Sequence, residues 1–229
     1  MTSLLIPKEE LYKRERNLLI RRPNTVVIVG VGGIGTWAAI FFTLVGANKI
    51  ILVDHDKLEL HNFNRIPLPP RMVGKNKAEA VAELLVKLRD STVIPIPETF
   101  SKARELIPAI MEPMVLVVDC TDNVTTSNDV LDFCKEYELA YLDLKYDGLS
   151  FSVRYYNGGE IRKAAISFDA DEVSGYREIP SFVGSAVVPA LFGLLLASIP
   201  AYKTYYARLD INKLLEICGE GKKYDRKRL

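Results

Sequence analysis

Cysteine and histidine, the side chains that most often hold zinc or act as nucleophiles, are scarce here: Cys120, Cys134 and Cys218, with His55 and His61, in 229 residues. The cysteines are odd in number, far apart and form no Cys-x-x-Cys pair. That excludes a disulfide framework and a paired-thiol zinc site, and fits reduced thiols in a cytoplasmic protein. His55 and His61 flank Asp56, but such groups beside a loop are ordinarily surface residues, so no zinc is expected. A charge excess is also missing. Thirty basic against 29 acidic residues leave a net charge of +1, so no broad field draws the chain to nucleic acid or anionic membrane, and recognition must be local. The amino terminus is charged within ten residues and lacks the apolar core of a signal peptide. One uncharged run, Phe182 to Tyr202, is long enough for a membrane span. Gly184, Ser185, Pro189, Gly193, Ser198 and Pro200 interrupt it, and a helix buried in protein is expected instead, with no membrane partner.

What the chain does have is a strand, a glycine loop and a helix in immediate succession. Val26 to Val29 are β-branched and bounded by glycine, as a buried parallel strand requires. Gly30, Gly32, Gly33 and Gly35 follow, and a helical pattern runs from Thr36 to Val45. This brings a helix N-terminus, with unpaired N–H groups and positive dipole, against whatever sits on the glycines, and phosphate is the natural guest. A second apolar strand, Ile50 to Val53, delivers Asp54 to the carboxyl edge of the sheet, where a carboxylate can bond ribose hydroxyls. Gly-x-Gly-x-x-Gly alone is a weak signal. Between a strand and a helix, with an acidic residue ending the next strand, it predicts nucleotide binding. A nicotinamide oxidoreductase would look the same up to Asp54.

The rest reads as an α/β fold, a Rossmann-like, mostly parallel sheet with helices on both faces and antiparallel strands at one edge. An amphipathic N-terminal helical segment (residues 1–24, helix at 8–20) precedes the domain (25–212), and a basic tail (213–229) follows. After Asp56 a long proline-rich loop carries Asn62, Asn64 and Arg65, and loops of this length in compact domains are usually functional. A helix is expected from Lys75, with Lys75 and Lys77 in its first turn, where cations oppose the dipole and make sense beside an anion. Thr92–Ile96 and Met114–Val118 read as strands, with a helix at 103–111 between them. The second of these strands ends in Asp119-Cys120-Thr121-Asp122-Asn123. Asp122 there is a Mg²⁺ ligand candidate or, with Asn123, a helix cap. A fifth strand (Ala140–Leu144) and a hairpin through Asn157-Gly158-Gly159 complete the sheet. Residues 168–181 read as a mobile loop.

In order, Gly30 to Gly35, Asp54-x-Asp56, Asn62-x-Asn64-Arg65, Val73-Gly74-Lys75-Asn76-Lys77 and Cys120-Thr121-Asp122-Asn123 resemble the motifs of the ThiF/MoeB/HesA family, the ubiquitin-activating-type adenylyltransferases. The likeness runs from about Val26 to Ala201. It implies that ATP is bound through Gly30, Gly32, Gly33, Gly35, Asp54, Asp56, Asn62, Arg65, Lys77 and Asp122. Asp54 would hold the ribose, Asn62, Arg65 and Lys77 the phosphates, and Asp122 the Mg²⁺. It implies adenylation of the C-terminal glycine carboxylate of a ubiquitin-like or sulfur-carrier protein, releasing pyrophosphate. It also implies a homodimer, in which Arg14, within a segment similar to the family's Arg-Tyr-x-Arg-Gln, reaches the partner's ATP. Arg14, Arg65, Lys77 and Asp122 are then the catalytic set.

The chain departs from the family at Ile66, which stands where a glutamine is usual, and in lacking paired zinc cysteines. No cysteine lies between Leu144 and the apolar helix, where thioester-forming members carry theirs. A direct hand-over of the acyl-adenylate is therefore expected. The resemblance leaves open a TcdA-like, ATP-dependent dehydratase acting on tRNA, for which the basic tail would help hold RNA. A non-catalytic partner-binding subunit is the remaining alternative.

Overall fold

A computed structural model describes residues 11–13, 23–146, 150–156, 161–167 and 181–198. Arg14, Cys218, the loop at 168–180, the hairpin turn at 157–160 and the basic tail lie outside the described residues. The elements run β1 (Thr25–Val29), α1 (Gly33–Val45), β2 (Lys49–Val53), two 3₁₀ turns (Leu60–Asn64, Pro70–Met72), α2 (Lys77–Leu88), β3 (Thr92–Ile96), α3 (Phe100–Ile110), β4 (Val115–Asp119), α4 (Val124–Glu136), β5 (Ala140–Tyr146), β6 (Ser150–Tyr156), β7 (Ile161–Ser167) and α5 (Ser181–Ser198).

Seven strands form one sheet in the order β3-β2-β1-β4-β5-β6-β7. The pairings from β3 through β5 are parallel, and the β5-β6 and β6-β7 pairings are antiparallel. β1 and β4 are buried at every position and read as continuous apolar runs because helices cover both faces of the sheet. Pro95 is tolerated in β3 because that strand is an edge. Alternation across the sheet splits the core in two. Val26, Ile28, Ile50 and Leu52 face the α1, α2 and α5 side, whereas Val27, Val29, Ile51 and Val117 face Phe100, Ile107 and Phe133 of α3 and α4.

Register places the site. Val29 pairs with both Val53 and Asp119, so Gly30, Asp54 and Cys120 leave the sheet side by side at its carboxyl edge. This is also where the order turns outward from β1 in both directions, the crevice in which open α/β sheets bind ligands.

Three helices start two or three residues away from the sequence expectation. The helix α1 starts at Gly33, not Thr36, because the glycine loop itself makes the first turn. The helix α2 starts at Lys77, with Asn76 accepting from the Glu79 N–H as its cap. Lys75 thus lies before the helix and pairs with Glu83 instead of facing an anion. The helix α3 begins at Phe100, three residues earlier than expected. The proline-rich loop is not featureless either. A capping box between Glu59 and Asn62 closes its first 3₁₀ turn. No helix among the described residues is long and apolar enough to cross a membrane, and α5 packs along α1.

Candidate functional site

A cavity of about 660 Å³ opens at the carboxyl edge of the sheet, within the range of small-molecule and cofactor sites. Its wall includes Gly30, Gly32 and Gly33, Asp54 and Asp56, Arg65, Lys77 and Asp122, residues from five separate stretches of chain. The floor is the start of α1. Gly32 is the N-cap, with no side-chain cap and no acidic residue in the first turn. The first-turn N–H groups have no partner within the helix, so they remain donors for an anion in the cavity. A methyl group on Gly35 would fall 1.9 Å from the Gly30 carbonyl oxygen. Only glycine lets the helix sit this close to the loop.

Asp54 is almost fully buried at the end of β2. Its Oδ2 accepts the Val31 N–H at 2.7 Å and its Oδ1 the Asp56 N–H at 2.8 Å. One carboxylate thereby fixes the glycine loop and the turn after β2 to each other. Burial raises its carboxyl above the ordinary value, against the pull of the two backbone donors. Lys77, mostly buried, donates to Asp56 Oδ2 at 2.8 Å. That hydrogen bond holds the Asp56 carboxyl below the ordinary value.

Arg65 is aimed by its own loop. Its guanidinium Nη1 donates to the His61 carbonyl at 2.9 Å and to Asn64 Oδ1 at 3.0 Å, while its backbone carbonyl accepts from Trp37 Nε1 at 3.0 Å. Asp122 stands exposed on the cavity wall, between β4 and α4. Asn123, not Asp122, caps α4, accepting from the Thr126 N–H at 3.0 Å. Behind this loop lies a buried ionic network. Asp119 accepts from the Thr121 N–H at 2.9 Å, the Thr121 hydroxyl at 2.8 Å and the Tyr141 hydroxyl at 3.0 Å. Lys145 reaches Asp119 at 3.2 Å, Ser127 at 3.1 Å and the Thr121 carbonyl. Lys145 Nζ also lies 3.0 Å from Asp143 Oδ1. That oxygen is charge-compensated but has no aligned donor.

The sequence profile of the ThiF family matches residues 13–197. The chain belongs to the ThiF family. It is 36% identical over 133 residues to ubiquitin-like modifier-activating enzyme 5 of Aedes aegypti, covering 53% of this chain and 34% of that protein. The chain thus spans about a third of the length of that curated relative. Among solved structures, E. coli MccB with ATP superposes with a TM-score of 0.60 at 22% identity, covering 81% of this chain and 57% of that one. PaaA superposes with a TM-score of 0.62 at 19% identity, covering 89% and 70%. At these identities the likeness establishes the ThiF fold.

In this ThiF domain most of the residues singled out by sequence converge on one cavity. Gly35 and Asn62 do not line it. Gly35 packs behind the loop, and Asn62 is buried with its Oδ1 accepting the Glu59 N–H at 3.0 Å. Asp54, His55 and Asp56 could bring three ligand atoms within 4.8 Å of one another. The Asp54 oxygens are, however, both held by backbone donors and Asp56 by Lys77. Asp122, whose carboxylate faces open space at the cavity, is the better-placed oxygen ligand for a hard cation. Sequence reasoning missed Tyr146, Ser181 and Ser185 on the cavity wall. The one available signal was Gly184-Ser185, a small pair near the head of an apolar helix that lets it approach closely.

Proposed function

We propose that the chain binds ATP and adenylates the C-terminal glycine carboxylate of a ubiquitin-like or sulfur-carrier protein, releasing pyrophosphate. The observation that carries this reading is the meeting of Arg65, Lys77 and Asp122 on the wall of the glycine-loop cavity. A nicotinamide enzyme has no use for those three, whereas a triphosphate needs cations and a metal ligand where its charge lies.

ATP is seated with its phosphates over the first turn of α1 and its ribose near Asp54. Each Asp54 oxygen accepts one backbone N–H and retains a lone pair for a ribose hydroxyl. Lys77 spends one donor on Asp56 and has two left for phosphate. Arg65 supplies a second cation, and Asn62 acts by shaping the turn that presents it. Asp122 would hold a Mg²⁺, which would supply positive charge against the phosphates. The carrier carboxylate attacks the α-phosphorus, the bond to the bridging oxygen breaks, and pyrophosphate departs with its electron pair. The nucleophile is already anionic, so no general base is needed, and catalysis is positioning plus charge stabilisation.

The described thiols do not compete for the acyl group. Burial pushes Cys134 up to about 12 and Cys120 well above the ordinary thiol value. The acyl-adenylate is handed directly to an external nucleophile. Exchange of labelled pyrophosphate into ATP, dependent on a carrier with an intact terminal glycine, tests the reading. Exchange driven by tRNA and by no carrier would replace it with the dehydratase alternative.

A further inference from the structure

The helix α5 reaches the cavity with two hydroxyls, and among the described residues only one of them has a partner. Ser181 Oγ accepts from Asn64 Nδ2 at 3.3 Å. Ser185, one turn further along, is 3% exposed and lines the cavity. Its hydroxyl has no hydrogen-bond partner among the described residues. The hydroxyl opens onto the cavity with its donor uncommitted, and a polar group so placed in a cavity wall points to something that enters the cavity.

Its position says what that is. A methyl group on Gly33 would fall 2.3 Å from Ser185 Oγ and 3.0 Å from Arg65 Cδ. The hydroxyl therefore sits directly over the first residue of α1, beside the N–H groups that have no partner in the helix and beside the Arg65 stem. Two donors of different origin meet there, a helix N-terminus and a serine, with the Arg65 stem beside them. The N–H groups can only donate, and the serine hydroxyl beside them can donate to the same anion. Tyr146 holds α5 at this depth, since a methyl on Gly184 would fall 2.5 Å from its ring.

We infer that Ser185 is a nucleotide-binding residue, its hydroxyl donating to the phosphate seated on the N-terminus of α1. This rests on the ATP reading above. It assigns the apolar helix a direct part in the site, beyond covering the sheet. The competing explanation is that Ser185 is there only because it is small enough to pass Gly33. Alanine is as small and lacks the hydroxyl, so the two explanations predict different things for Ser185→Ala.

The test is ATP, pyrophosphate and adenosine binding to the full chain by calorimetry. Trp37, the only tryptophan, provides a second signal because its indole N–H is bonded to the Arg65 carbonyl. Ser185→Ala should melt like wild type, bind ATP and pyrophosphate about tenfold or more weakly, and bind adenosine unchanged. Ser185→Cys, of similar size but a weak donor, should fall between and guards against an effect peculiar to alanine. Ser185→Ala binding ATP within about twofold of wild type would overturn the assignment while leaving the ATP reading intact. Wild-type protein that fails to bind ATP would overturn both.

Discussion

Asp122 and Asp56 are two carboxylates on one cavity whose surroundings give them different work. Asp122 is exposed and supports no packing, so Asp122→Ala should change stability by no more than about 0.5 kcal/mol. Adenylation should nevertheless fall on the order of 100-fold or more if that side chain holds the metal. A folded Asp122→Ala protein with near-normal turnover removes it from the mechanism. Asp56 is engaged by Lys77, which keeps its carboxyl below the ordinary value of 3.8. A lowered folded-state value means that the stabilisation is present above that pH and is lost as the pH falls through it. Thermal melts of wild type and Asp56→Asn should therefore differ most near neutrality and converge under acid. Asp54 titrates in the opposite sense, its carboxyl raised by burial, but it is present in both proteins and largely cancels in the comparison. A gap that widens on acidification would show that the Lys77 pair is not what holds Asp56.

At the scale of elements, the loop between β4 and α4 is the piece most tightly built. Asp119 takes both the N–H and the hydroxyl of Thr121, and Lys145 takes the Thr121 carbonyl, so the residue before Asp122 is pinned from two sides. Lys145→Met leaves the fully buried Asp119 and Asp143 short of positive charge and should cost about 3 kcal/mol, read by denaturant melts. Wild-type stability in that variant would mean the cluster is neutralised in some other way, Arg154 being the remaining cation beside Asp143. This network was illegible in the sequence because Asp119, Lys145 and Arg154 are far apart along the chain and meet only through the β4-β5-β6 register. What was legible was local. The Val-rich strands, the glycine loop and the acidic strand ends each follow from neighbours in sequence, and the parallel register then places them together. The start of α2 was misjudged by two residues because Asn76, as a cap, outweighs the lysines on either side of it. Asn62 was assigned to phosphate from its motif. Its bond to the Glu59 N–H is a local capping contact three residues apart, but its burial depends on how the loop packs, which the motif does not reveal.

For the whole molecule, a homodimer in which Arg14 completes the partner's site makes a specific demand. Mixing Arg14→Ala with Asp122→Ala protein should restore part of the activity, since one site of each mixed dimer then has both residues. Mixed dimers that form but stay inactive would place Arg14 outside the partner's chemistry. On the proposed reading, this ThiF chain carries the carrier's carboxylate to an acyl-adenylate and goes no further. Intact-mass measurement of carrier and enzyme after a single turnover with ATP and Mg²⁺ tests it most directly, using wild type and a variant with Cys120, Cys134 and Cys218 replaced by serine. The expected result is AMP joined to the carrier's C-terminus with both proteins, and no covalent mass on the enzyme. A reducible carrier adduct on a cysteine of the enzyme, or ATP cleaved to ADP with the carrier unmodified, would contradict it.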